Sequence, residues 1–292
     1  MINVTYIPAS QRLKLDSDPT KKVYNLKADN LKLKEANFHT WEFVPVGIEN
    51  AKGLRITRFK QEPKGYETQL YIRGSDMERA SLIDELHSFF EQDLVYAKPA
   101  LLIWGDWSID CFIRSSSTYP DGFETVNDIE IYCPYPQWSY TVTKTFLKSE
   151  QRTDQDSQDL DYNYDYNYDY AGGTSGTEMW NINHFAPVEF EMTIFGACVD
   201  PRVIINGHIY QVYTTLTSNE RLVIDSKNKT IKKYSGTAEI NLFDWQNKQE
   251  DIFQPIEAGM AQVNWANTFN FEIKAYMESA EPKWSTTGRS FK

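Results

Sequence analysis

Asp161, Asn163 and Asp165 set three oxygen donors at alternate positions, the spacing with which an EF-hand loop begins to wrap a calcium ion. The loop is not completed. Its sixth position, where the chain must turn sharply, is Tyr166 instead of Gly, and its twelfth is Gly172 instead of a bidentate Glu. The four histidines, His39, His87, His184 and His208, form no HExxH motif and no close ligand spacing, so satisfied structural histidines are expected. Gly172-Gly173-Thr174-Ser175-Gly176 lacks the Lys of a phosphate loop and precedes no helical pattern, and it reads as a joint. The GxSxG nucleophile elbow is absent. Asp106, Asp110 and Asp128 fall in turn or strand contexts where solvated surface is the default, and no pair of acids stands out as general acid and base. Cys111, Cys133 and Cys198 are odd in number and lie in apolar surroundings, which suits buried thiols rather than a disulfide framework. The expectation is a protein without catalytic residues, metal or cofactor.

What remains is the segment that carried the calcium-like spacing. Asp161 to Tyr170 reads DYNYDYNYDY. On a helix, rings two apart would scatter to opposite sides. On a strand, Tyr162, Tyr164, Tyr166, Tyr168 and Tyr170 share one face and the acids and amides share the other, over a reach of roughly 33 Å. A lone aromatic ribbon in water is an aggregation hazard, so the rings need a partner surface. Either a strand packed on its own domain or a contact with another subunit would supply one.

The elements around this ribbon fall into two groups. Between Val23 and Arg73 the runs VYNLKADNLKLKE, WEFVPVGIE, GLRITRF and GYETQLYIRG read as strands, with Tyr66, Thr68, Leu70 and Ile72 on one face. One helix follows. Ser75 and Glu78 form a capping box, and Ala80, Leu82, Ile83, Leu86, Phe89, Phe90 and Leu94 trace an apolar stripe over about five turns. Strands resume after Pro99, with Gly105-Asp106 as a hairpin turn. From Lys148 to Asp159 no residue is apolar, which marks a domain boundary. Beyond Gly173 the pattern is nearly all strand. Asn206-Gly207 is the strongest hairpin signal, SKNK turns between RLVID and TIKKYSG, and AQVNWANTFNFEIKAYM reads as a last hairpin.

The architecture expected is therefore mainly β: an α+β domain over 1–148, an acidic linker and Tyr-rich ribbon over 149–173, and an all-β sandwich over 174–292. Length and composition allow two such cores: 292 residues, 41% hydrophobic, 24% charged, with aromatics at 14% favouring sheets. A formal charge of -11 and a pI near 4.9 argue against binding nucleic acid or anionic lipid in bulk. No secretory signal pattern or apolar run of spanning length is seen, so cytosolic folding is expected. Trp104, Trp107 and Trp138 in the first domain, and Trp180, Trp245, Trp265 and Trp284 in the second, suit core packing, with stacking on sugars as the alternative.

Taken in order, several segments resemble one family, the distal tail proteins of phages with long non-contractile tails and of related phage-like bacteriocins. They are GYETQLYIRGS, SLIDELHSFFEQDL, WGDWSIDCFI, IYCPYPQW, the YNYDYNYDY ribbon, HFAPVEFEMTIFGACVDPRVIINGHIY, IFQPIEAG and EPKW, spanning about Val23 to Trp284. The resemblance implies a structural virion protein at the tail tip, assembled in the host cytoplasm, with no enzyme activity. It implies an N-terminal ring-forming domain built from a β-sandwich, a helix and a hairpin arm, followed by a galectin-like β-sandwich. Its partners would be five further copies in a homo-hexamer, the tail tube protein, the tail-tip hub protein and receptor-binding proteins. DNA would pass the lumen without specific binding. The family ribbon commonly has Pro where this chain has Asn163 and Asn167. The rival reading is a carbohydrate-binding, galectin-like adhesion module.

Overall fold

The computed structural model describes residues 3–12, 14–15, 18–34, 36–148 and 176–283. It divides into two compact units, Met1–Tyr140 with Glu278–Lys292, and Thr141–Met277. Each has its own buried cluster.

In the first unit, alternation in the strand Lys64–Ile72 buries Tyr66, Thr68, Leu70 and Ile72, as their spacing predicts. Thr68 is tolerated in this row because its hydroxyl donates to the Lys34 carbonyl at 3.0 Å. The strand pairs antiparallel with Glu124–Cys133, which pairs with the far half of the long strand Trp107–Asp121. The near half of that strand pairs instead with Ala100–Trp104, across the two-residue turn Gly105-Asp106. Ala100–Trp104 in turn pairs with Val4–Ile7. The change of partner coincides with a register shift between Ile113 and Ser115, where an extra residue lets one strand serve two sheets.

The helix α1, Asp76–Val95, starts where the capping box places it. The Ser75 hydroxyl accepts the Glu78 amide, and the Glu78 carboxylate accepts the Ser75 amide at 2.9 Å. Leu86 and Phe90 are buried and Leu82, Ile83 and Phe89 pack against the same cluster. The stripe is shorter than expected, since Ala80 and Leu94 are exposed. Asp93, 2% exposed, occupies the buried place that the stripe would have given to an apolar residue. It accepts the Tyr6 hydroxyl and the Ala9 amide, each at 3.1 Å. Burial raises its pKa above the usual carboxylate value, against the opposing pull of those two donors. Asp93→Ala is expected to destabilise the protein by about 2 kcal/mol, because two donors lose their acceptor. Adding Tyr6→Phe should recover part of that loss in urea unfolding, and a simply additive double variant would contradict the account.

The second unit is a β-sandwich. One sheet runs in the order Gly176–Ile182, Gly259–Trp265, Arg202–Ile205, His208–Gln211. The other runs Ala238–Asn241, Thr230–Ser235, Glu220–Asp225, Glu189–Phe195, Asn270–Ser279, and then the end of Trp138–Phe146 that lies beyond Tyr140. Trp180, Ile182, Val203, Ile205, Val263 and Trp265 from the first, and Phe190, Met192, Ile194, Leu222, Phe271 and Ile273 from the second, form one core. Asn206 and Gly207 have φ of 50° and 87°, the pair of positive values that a type I′ hairpin needs.

One expectation is corrected. Gly259–Trp265 and Asn270–Ser279 are consecutive but do not pair: the first joins Gly176–Ile182 and Arg202–Ile205, the second joins Glu189–Phe195. Both strands alternate toward the same core, and Phe269 is buried in the connection, so the chain crosses from one sheet to the other instead of folding back.

At the head of Glu220–Asp225, the Thr217 amide, donating at 2.8 Å, and then the Lys233 ammonium at 2.9 Å hold the Glu220 carboxyl down at about 2. A depressed folded pKa contributes stability that is full above the ordinary 4.5 and is lost as pH falls toward about 2. The melting temperature of Glu220→Gln should therefore sit below that of the parent at pH 6 and converge with it near pH 2. A constant offset across that window would refute the assignment.

Candidate interaction surfaces

The histidines serve structure. On α1, His87 Nε2 lies 3.0 Å from Ser116 Oγ and 3.2 Å from Asn127 Nδ2, while Ser116 donates to Asn127 Oδ1 at 2.7 Å. A hydroxyl on an imidazole is half of a nucleophilic pair, but among the described residues no carboxylate orients the other ring nitrogen. The cluster fastens the helix to the strand Trp107–Asp121. His208 holds a loop in the second unit, with Nδ1 3.2 Å from Glu250 and Nε2 2.7 Å from the Asp251 carbonyl oxygen. His184 Nδ1 lies 3.0 Å from the Ala186 carbonyl oxygen and 3.3 Å from its amide nitrogen, and the ring stacks on Phe185 at 4.4 Å. His39 packs edge-on to Trp104. Among the described residues no three His, Cys, Asp or Glu side chains come together as a metal would require, and no helix is long and apolar enough to cross a membrane. Cys111, Cys133 and Cys198 are buried free thiols, and burial lifts Cys133 to about 12 and Cys198 to about 11.

Four of the seven described tryptophans are core residues: Trp107, Trp138, Trp180 and Trp265 are at most 9% exposed. Trp245 is the exception in the second unit at 58%, beside Tyr213 at 45%, whose amide donates to the Trp245 carbonyl at 2.8 Å. Trp41, which belongs to neither tryptophan cluster of the sequence, is 56% exposed and meets Phe43 edge-to-face at 5.5 Å. Tyr162, Tyr164, Tyr166, Tyr168 and Tyr170, with Asp161, Asn163 and Asp165, lie outside the described residues, as do Gly172 to Ser175 and Trp284.

Trp41 and Phe43 lead into an exposed apolar hairpin of the first unit. Val44–Asn50 and Gly53–Lys60 pair from Val44↔Lys60 to Asn50↔Gly53 and, among the described residues, with no other strand. The turn is closed by the Lys52 amide donating to Asn50 Oδ1 at 2.9 Å, with Gly53 at φ 121°. Every residue of Gly53–Lys60 is exposed, among them Leu54, Ile56 and Phe59, and across the turn Ile48 is 67% exposed. A two-stranded hairpin standing alone is marginal in water, and apolar side chains on it signal an interface. The register shifts beside Gly47, where a Cβ would run into the Arg55 carbonyl oxygen, so only Gly lets the two strands approach. At the base of this arm lies an open cleft of about 440 Å³, lined by Trp41, Glu42, Gln61, Glu62 and Lys64. Lys64 Nζ donates there to Thr40, and burial lowers its pKa.

No family model and no curated protein matches the sequence. Solved structures do match in fold. The SPP1 Dit protein, described as a paradigm of the hub adsorption apparatus in phages infecting Gram-positive bacteria, aligns with a TM-score of 0.58 at 12% identity, over 96% of this chain and 99% of that one. Chains of the phage P2 baseplate in its activated conformation, one structure with calcium and one with strontium, align with a TM-score of 0.62. Their identities are 14% and 15%, over 97% of this chain and 100% of theirs. At such identities the shared property is the fold.

Proposed function

We propose that this chain, which has the fold of phage hub and baseplate proteins, is a structural protein of a phage tail tip and not an enzyme. The observation that carries the reading is the alignment of nearly the whole chain, both units included, with proteins of that apparatus. In this reading residues 1–148 form a ring of six copies, and residues 174–292 form an outer domain that meets the hub and receptor-binding proteins. The arm Val44–Lys60 supports a ring, because a closed ring uses heterologous contacts and a projecting hairpin is a ready means of bridging to the next copy. An acidic chain also suits a lumen that DNA must cross without sticking.

Light scattering and negative-stain imaging of the purified chain test this directly. Particles of about six protomers with a central opening are expected, and a monomer at every concentration and inside its particle would overturn the reading. Tyr162, Tyr164, Tyr166, Tyr168 and Tyr170 are assigned to the contact at the junction of the two domains. Replacing Tyr164, Tyr166 and Tyr168 with Ser should loosen that junction, whereas unchanged ring images and unchanged melting would count against the assignment. Exposed Trp245 beside Tyr213 favours a second reading, glycan binding by the outer domain. A glycan array with Trp245→Ala as control separates the two.

A further inference from the structure

The arm is basic in an acidic protein. Between Val44 and Lys60 stand Lys52, Arg55, Arg58 and Lys60 against the single carboxylate Glu49, while the chain as a whole carries -11. Lys60 pairs with Glu62 at 2.6 Å. Among the described residues Lys52, Arg55 and Arg58 have no ion pair. Apolar side chains explain why the arm seeks cover, but three unpaired cations restrict what can cover it: the partner surface must be acidic.

Such a surface exists on the same unit. On the outer side of the strands Lys64–Ile72, Glu124–Cys133 and Trp107–Asp121, Glu67 stands directly opposite Glu130, and Gln69 opposite Asp128. Ser115 and Ser117 continue these two rows on the third strand. The rows floor an open groove of about 560 Å³. Two of the carboxylates are satisfied within the chain. Arg114 Nε donates to Glu130 at 2.9 Å, and Gln69 Nε2 donates to Asp128 at 2.7 Å. Glu67 has no such partner among the described residues, although it faces a like charge across the ladder. Arg114 already pairs with Glu130, which leaves Glu67 as the carboxylate that a cation arriving from outside would meet. A metal ion is not the fitting cation, because these carboxylates do not gather closely enough to enclose one. The groove spans three residues on each of the three strands, with hydroxyls beside the acids, and the one Lys on its lining, Lys34, is turned to Gln69 Oε1 at 2.9 Å.

We propose that the arm of one copy seats on the Glu67 and Glu130 groove of a second copy, the face with Arg55, Arg58 and Ile48 toward the carboxylates, while Leu54, Ile56 and Phe59 on the opposite face are covered by apolar surface beside the groove. The inference rests on the ring reading above and names the surface that receives the arm. The same two surfaces then recur at every contact, which is the requirement for a ring built from identical chains.

Charge reversal in the full chain tests it, read by analytical ultracentrifugation at low salt with circular dichroism as the check on folding. Arg55→Glu with Arg58→Glu, and separately Glu67→Lys, are each expected to weaken self-association at least tenfold. The three changes together should recover most of it. Parent assembly should also weaken as salt rises from roughly 0.1 to 1 M. Assembly of the parent with no response to either reversal, or a combined variant no better than the separate ones, overturns the groove assignment and leaves the ring reading standing. A parent that never assembles overturns both.

Discussion

Protomers carrying Leu54→Ser, Ile56→Ser and Phe59→Ser are expected to fold normally and to lose most of their self-association. The three side chains are 43%, 49% and 57% exposed in the isolated chain, so trimming them removes little that holds the protomer together. Exposed substitutions of this kind cost within about 0.5 kcal/mol. Against a neighbour the same atoms are newly buried, each contributing on the order of 1 kcal/mol or more. Summed over three residues this corresponds to a loss of about 100-fold or greater at each contact. Sedimentation velocity reads the change in mass, and calorimetry reads the protomer. An intact assembly would mean that the arm's apolar residues do not lie in the contact. A melting temperature lowered by many degrees would mean that the arm packs on its own protomer.

The second large effect belongs to the core of the other unit. Phe146 is 0% exposed and stacks on Phe271 with ring centres 4.6 Å apart at an interplanar angle of 8°. Trp265 and Trp180 meet it edge-on at 5.8 and 6.2 Å. Removing the ring empties the place where three aromatic neighbours converge, and such neighbours are too large to close in. Phe146→Ala should cost about 3–5 kcal/mol, whereas Phe146→Leu, which fills more of the space, should cost markedly less. Denaturant unfolding followed by tryptophan emission is the measurement. Equal midpoints for the two variants would deny the packing argument.

Much of the secondary structure was legible, for reasons that differ between elements. The helix was readable because its start is a local event: Ser75 and Glu78 lie three residues apart and need nothing else to be recognised. The Asn206-Gly207 turn was readable because few residue pairs accept positive φ in succession. Alternation along Gly259–Trp265 and Asn270–Ser279 correctly announced two half-buried strands, but period two says which face is inside and not which strand lies alongside. Asp93 was hidden by the same limit. Its burial depends on Tyr6 and Ala9, more than eighty positions away.

The arm was read as strands, and it is a pair of strands; that both faces meet solvent is a tertiary property that no local pattern encodes. The one local sign was the excess of Lys and Arg between Lys52 and Lys60 in an otherwise acidic chain. Trp41 stands beside that sign, apart from the other tryptophans in sequence, so clustering gives no hint of its exposure. The tyrosine ribbon showed the plainest pattern of all, and its residues are outside those described.

The crossing between sheets near the end of the chain has a consequence for synthesis. Asn270–Ser279 lies between Glu189–Phe195 and the end of Trp138–Phe146, strands made about eighty and one hundred and thirty residues earlier. Until it emerges from the ribosome, Phe190, Met192 and Ile194 lack their closing neighbour, so the sandwich cannot be completed before that strand is made. A product that stops before residue 270 would expose an open aromatic core to degradation, and only chains that include Asn270–Ser279 would reach the stage of meeting other copies.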